Sequence, residues 1–181
     1  VNQPIAIAPA LRPDEARERH TLSVLVDNEP GVLARVIGLF SGRGYNIDSL
    51  TVSETEHERS LSRITIVTTG TPMVIEQIKN QLARLVPVHR VSDLTADSRD
   101  ALERELALVK VSGRGEQRLE ALRLAQAFDA RTVDATLTSF VFEITGATAE
   151  IERFVSLMAT VGLVEVSRTG IAAITRGGEA T

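Results

Sequence analysis

The sequence predicts an α+β protein made of two ferredoxin-like βαββαβ domains in tandem. Three observations predict it. Apolar residues alternate between a period of two and a period of 3.6 along the chain. The first half orders them as strand, helix, strand, strand, helix, strand. After a polar stretch the same order returns, more faintly.

In the first half, "TLSVLVD" (21–27) reads as a strand with Leu22, Val24 and Val26 on one face. Residues 31–43 place Val32, Leu33, Val36, Ile37, Leu39 and Phe40 at helical spacing, and Gly42 and Gly44 supply a stop. "YNIDSLTVSET" (45–55) and "LSRITIVTT" (61–69) read as strands joined by the polar turn "EHERS". "TPMVIEQIKNQLARL" opens its helix with Pro72 and sets Val74, Ile75, Ile78, Leu82 and Leu85 on one face. "VPVHRVSDL" (86–94) closes the unit as a strand.

The polar stretch "TADSRDALE" precedes the second copy. "RELALVKVSG" reads as a strand, and "QRLEALRLAQAF" as a helix with Leu119, Leu122, Ala125 and Phe128 inward. "ARTVDATL" and "SFVFEITG" form a hairpin. "TAEIERFVSLMATV" is a helix with Ile151, Phe154, Val155 and Met158 inward, and "LVEVSRTGIAAI" a last strand with an extension. The expected organisation is a flexible arm at 1–19, domains at 20–95 and 96–175, and a tail at 176–181.

Composition narrows the function. Residues 1–95 carry 10 Lys/Arg against 11 Asp/Glu, and residues 96–181 carry 10 against 13, so neither half has the basic excess of a nucleic-acid binder. No apolar run approaches the roughly 20 residues that cross a bilayer. The start lacks the basic head and apolar stretch of an export signal. With no cysteine, disulfides, thiolate zinc sites and a cysteine nucleophile are excluded, and a cytoplasmic setting is expected.

The corner "DNEPG" between the first strand and helix has two compatible readings. Asn28 accepts a backbone N–H as a cap, Pro30 sits in the first turn, and Glu29 complements the positive helix end. Alternatively Gly31, lacking a side chain, lets a ligand approach the free N–H groups of that turn. A compact zwitterion suits such a corner: its carboxylate takes the N–H groups, and its ammonium takes Asn or carbonyl oxygens.

"SGRGYN" (41–46) ends a helix and turns the chain, but Asn46 leads into an otherwise apolar strand. The second "GRG" (113–115) lacks the extra glycine and the Lys-Ser/Thr of a nucleotide loop and reads as a turn. His20, His57 and His89 are far apart in sequence, and the acids of "SETEHE" fall on a hairpin tip. No catalytic residue and no metal ligand is assigned.

These residues carry a specific likeness. "RHTLSVLVDNEPGVLARVIGLFSGRGYNIDSLTVSETEHERSLSRITIVTTG" resembles the amino-acid-binding ACT domain, and more narrowly the small regulatory subunit of acetolactate synthase (acetohydroxyacid synthase). The likeness continues through "QLARLVPVHRVSDLT" and "RELALVKV" to "VEVSRTGIAAITRG", leaving residues 1–19 outside it.

The resemblance implies a chain without catalysis of its own. Such a chain activates the large catalytic subunit and makes it sensitive to feedback by valine, at the opening of branched-chain amino-acid synthesis. Thiamine diphosphate, magnesium and FAD are implied in that catalytic partner and no cofactor in this chain. It also implies a homodimer of ACT domains with valine, or another branched-chain amino acid, between them. On the matching positions, Asn28, Gly31, Val32 and Leu33 come from one protomer, and Asn46 and Ile47 from the other. The second copy reads "SGRGEQRL" in place of "DNEPGVL", without Asn-x-x-Gly, so no equivalent site is expected there. Its helix "QRLEALRLAQAF" instead mixes apolar and basic positions suited to a partner surface.

The residues bear on three other functions. An ACT-type amino-acid sensor for a different enzyme stays open as the alternative. An RNA-binding module of the same topology needs aromatic residues on its central strands, and "RITIVTT" offers none. A small acyl- or phosphoryl-transfer enzyme on this fold wants an arginine in the first loop, where "DNEPG" holds an acid.

Overall fold

The computed structural model describes residues 16–56, 60–96, 101–178 and 181. Most of the expected N-terminal arm, the tip of "EHERS" and residues 97–100 therefore lie outside the described residues. Two compact units divide the chain between residues 99 and 100, apart from the short segment Ser49–Thr51.

The first unit runs β1 (Glu18–Asp27), α1 (Val32–Arg43), β2 (Ser49–Glu56), β3 (Leu61–Gly70), α2 (Pro72–Leu82) and β4 (Val88–Asp93). Its sheet has the order β2-β3-β1-β4. Strand β1 pairs antiparallel with β3, setting Leu22 opposite Ile66 and Val24 opposite Ile64. Side chains that face each other across two strands project from the same side of a sheet. All four are buried, as are Val32, Val36 and Phe40 of α1 and Ile75, Ile78 and Leu82 of α2. Their spacing of three and four residues is what places each helical set in one stripe.

Several boundaries differ from the sequence reading. β1 begins at Glu18, inside the expected arm, because Glu18 and Arg19 pair with Gly70 and Thr69. α1 continues through Gly42 and stops only at Gly44, whose φ of 69° is the left-handed turn that favours glycine. Leu85 lies beyond the end of α2, in the turn toward β4. Residues 45–48 form a loop and not the start of a strand. There the Asp48 N–H donates to Val67 O (2.8 Å) and Thr68 Oγ1 donates to Asn46 O (2.6 Å).

The second unit repeats the plan: β5 (Ala101–Ser112), α3 (Glu116–Ala127), β6 (Arg131–Ala135), β7 (Ser139–Gly146), α4 (Thr148–Ala159) and β8 (Leu163–Arg168). Its strand order, β6-β7-β5-β8, is the first unit's order over again. β9 (Ala172–Thr175) pairs with Ala101–Arg104, so β5 starts three residues before "RELALVKVSG". At the tail, Thr181 Oγ1 accepts from the Thr175 N–H at 3.0 Å.

The core of this unit joins Val109 and Val111 of β5 to Phe142 and Ile144 of β7, with Ile151, Phe154 and Met158 of α4. Phe154 sits between Phe128 and Phe142, with ring centroids at 5.3 and 6.4 Å. On α3 the buried positions are Ala121 and Ala125, with Leu122, Leu124 and Phe128 partly covered. Leu119, expected inward, is 57% exposed. Two small alanines let α3 lie close to the sheet, and a helix in that phase turns residue 119 roughly 200° from residue 121.

Candidate functional site

The β1–α1 corner is held from two sides. The Asp27 N–H donates to Pro87 O at 2.9 Å and the Asn28 N–H to Ser60 O at 2.6 Å. The chain then turns through Glu29 and Pro30, and Gly31 is the N-cap of α1 with φ 89° and ψ −10°. L-residues rarely adopt that conformation, and a Cβ built on Gly31 would meet nothing within 4 Å.

This arrangement revises the capping reading. The Asn28 side chain does not cap α1, and among the described residues no side chain does. Pro30 precedes the cap and so lies before the first turn, not within it. The Val32 N–H bonds back to Glu29 O (3.3 Å), while Asn28 and Gly31 are exposed and Leu33 is 37% exposed. The result is an uncapped helix N-terminus with a side-chain-free approach. The helix dipole and free amides there favour a carboxylate.

Asn46 and Ile47 lie at the other end of α1. Asn46 is exposed, and its Nδ2 donates to Asp48 Oδ1 at 2.5 Å. Asp48 in turn accepts from Thr69 Oγ1 at 2.7 Å. A cavity of about 440 Å³ opens beside Asn46, walled by Arg17, Arg43, Tyr45, Thr71 and Val74. Arg17 is held at its rim by donating Nη2–H to Thr69 O (3.1 Å). Asp48, two residues from Asn46 in "YNID", supplies this end with a carboxylate that no pattern in the sequence singles out.

The structure therefore gathers Asn28, Gly31, Val32 and Leu33 at one end of a 12-residue helix and leaves Asn46 and Ile47 at the other. At 1.5 Å per residue the two groups are roughly 18 Å apart within one chain.

Of the three histidines, His89 is an exposed partner of Asp27 (2.6 Å), and His57 lies outside the described residues. His20 is buried against Asp93, 73 residues away, a pairing no local pattern signals. Among the described residues no group of three His, Asp or Glu could hold a metal, and no helix is long and apolar enough to cross a membrane. The GRG at 113–115 is a turn leading into α3, as expected.

Topology, corner and internal repeat define an ACT-domain protein, and comparison with known proteins agrees. A family model described as an AHAS small subunit-like ACT domain matches residues 22–90. A second, described as the small subunit of acetolactate synthase, matches residues 104–177. The chain is 46% identical over 159 residues to a probable acetolactate synthase small subunit of Archaeoglobus fulgidus, covering 88% of this chain and 98% of that one. It is 44% identical over 160 residues to the acetolactate synthase isozyme 3 small subunit of Salmonella typhimurium, covering 88% and 96%. The crystal structure of the Thermotoga maritima acetolactate synthase small subunit superimposes with a TM-score of 0.81 at 38% identity, covering 90% of this chain and 99% of that one. The chain belongs to the acetolactate synthase small-subunit family, the regulatory and not the catalytic component of that enzyme.

Proposed function

We propose that this chain binds a branched-chain amino acid, valine in the first instance, and uses it to set the activity of its catalytic large subunit. The observation that carries this reading is the split site. One end of α1 offers uncapped amides behind Gly31, suited to a carboxylate. The other offers Asn46 beside Asp48, suited to an ammonium. One chain cannot close both on a ligand a few ångströms long, so two chains pair, with α1 of one facing the Asn46 loop of the other. Leu33 and the half-buried Ile47 then supply apolar contacts for an aliphatic side chain, while the side chain of Val32 lies in the core.

In this reading the large subunit carries thiamine diphosphate, magnesium and FAD, and this chain carries no cofactor. Its compartment is the cytoplasm. The test is calorimetric titration of the purified chain with valine, and with leucine and isoleucine alongside. Valine is expected to bind with one site per pair of half-sites. One methylene separates valine from isoleucine, so selectivity between them is limited to roughly 1–3 kcal/mol. Absence of binding by all three overturns the reading.

A further inference from the structure

A line of buried polar side chains leads from Asn46 to the residues that follow β4. Thr68, 1% exposed, donates Oγ1–H to Asn46 O at 2.6 Å. His20 stands directly opposite Thr68 in the β1–β3 register, so the two side chains project from the same face of the sheet. His20 Nδ1 lies 2.9 and 3.1 Å from the oxygens of Asp93. A carboxylate only accepts, so the ring nitrogen donates. Asp93, also 1% exposed, accepts the N–H groups of Thr95 and Ala96, both at 3.1 Å. Glu18 Oε2 faces His20 Nε2 at 3.4 Å, and Lys79 of α2 approaches Asp93 at 3.7 Å.

The line joins three strands. At one end stands the exposed loop residue read above as an effector contact. At the other stands the segment in which the chain leaves its first sheet. Thr68, His20 and Asp93 are shielded from water, so losing a partner there is not made good by hydration. A shift of the Asn46 backbone would move Thr68, whose neighbour across the strands is His20. Packed interiors answer such shifts by moving between discrete arrangements.

We propose that Thr68, His20 and Asp93 are positioning residues that relay effector occupancy at Asn46 to the Thr95–Ala96 segment. They set how far the bound effector inhibits the catalytic subunit, not how tightly it binds. The inference rests on the reading of Asn46 given under the proposed function.

Thr68→Val and His20→Gln, each made in the full chain, test it. Melting curves establish folding, calorimetry gives valine affinity of the isolated chain, and acetolactate formation by the reconstituted complex is measured without and with saturating valine. Affinity is expected within about threefold of wild type, activation without valine unchanged, and residual activity at saturating valine at least about doubled, a partial loss of the roughly fivefold or larger effect of a typical coupling. Inhibition equal to wild type at undiminished affinity overturns the relay. So does an inhibition defect that more valine fully restores, since these residues would then only shape the pocket. Should Thr68→Val not fold, Asp93→Asn replaces it, keeping an acceptor for the two amides, and the same readings decide. A wild-type chain that binds no branched-chain amino acid fails at the effector reading and takes the relay with it. That failure is distinct from a wild type that binds and inhibits while its variants do the same.

Discussion

Gly31 and Asn46 stand at opposite ends of α1, separated by the roughly 18 Å that twelve helical residues span. A single amino acid cannot bridge that gap, so the proposed site requires two chains. β2 and β4 are the edge strands of the first sheet, and an exposed edge invites pairing. The chain is expected to be a dimer in light scattering at working concentrations. A monodisperse monomer would contradict the split-site reading.

Asn28 touches the effector in this reading but caps nothing. Asn28→Ala is therefore expected to leave the melting temperature unchanged. It is also expected to weaken valine binding tenfold or more, because a hydrogen bond to a charged group is worth roughly 1.5–3 kcal/mol. Calorimetry and a thermal melt on the same sample check both halves. A fall in stability with no change in affinity would return Asn28 to a structural role.

Gly31→Ala places a Cβ in a left-handed conformation that costs about 1–2 kcal/mol, although the space around it is open. Asparagine tolerates that region better. Gly31→Asn is expected to recover most of the stability in urea unfolding without recovering valine binding, since its side chain still blocks the approach to the amides. If both variants bind valine as wild type does, the carboxylate lies elsewhere.

Glu105 is 5% exposed and pairs through Oε1 with the guanidinium of Arg168 across β5 and β8. Arg168→Met leaves that carboxylate buried and alone. Breaking a buried pair on one side costs about 3–5 kcal/mol, and the lower end applies because Arg168 is partly exposed. Urea unfolding of Arg168→Met should show a loss near 3 kcal/mol, and Glu105→Gln combined with it a smaller one.

Lys110 Nζ lies 2.8 Å from Glu165 Oε2 on the surface of the second unit. The hydrogen bond from Lys110, and then its charge, lowers the Glu165 pKa below its ordinary 4.5. The hydrogen bond to Glu165, and then its charge, raises that of Lys110 above 10.5. A lowered carboxyl pKa stabilises above its unfolded value and is lost as pH falls through the folded one. A raised lysine pKa stabilises below its unfolded value and is lost as pH rises through the folded one. Between those limits the contribution is constant and small, the pair being exposed. The stability difference between wild type and Lys110→Met, measured in urea, is expected to be flat around neutral pH and to vanish well below pH 4.5.

The order of elements in both units and the corner at Asn28–Gly31 were legible in local pattern. Those features are local. The stripe Ile75, Ile78, Leu82 and the alternation Leu22, Val24, Val26 follow from the backbone's own period, and each appears in the core where the period puts it. The repeat was legible for the same reason, in Val109 and Val111 of β5 and Phe142 and Ile144 of β7.

Features that depend on residues distant in the chain emerged only with the fold. Asn28 looked like a cap, but its backbone is drawn to Ser60, and Gly31 begins the helix instead. Leu119 fitted an inward stripe until Ala121 and Ala125 set the phase of α3 against its sheet. The strand expected from Tyr45 starts only at Ser49, because Val67 and Thr68 hold Asn46 and Asp48 in a loop. His20 became a buried partner of Asp93 only once β1 and β4 lay side by side. A one-dimensional pattern records the period of each segment but not which segments meet, and hydrogen bonds between buried polar groups are made only where they do.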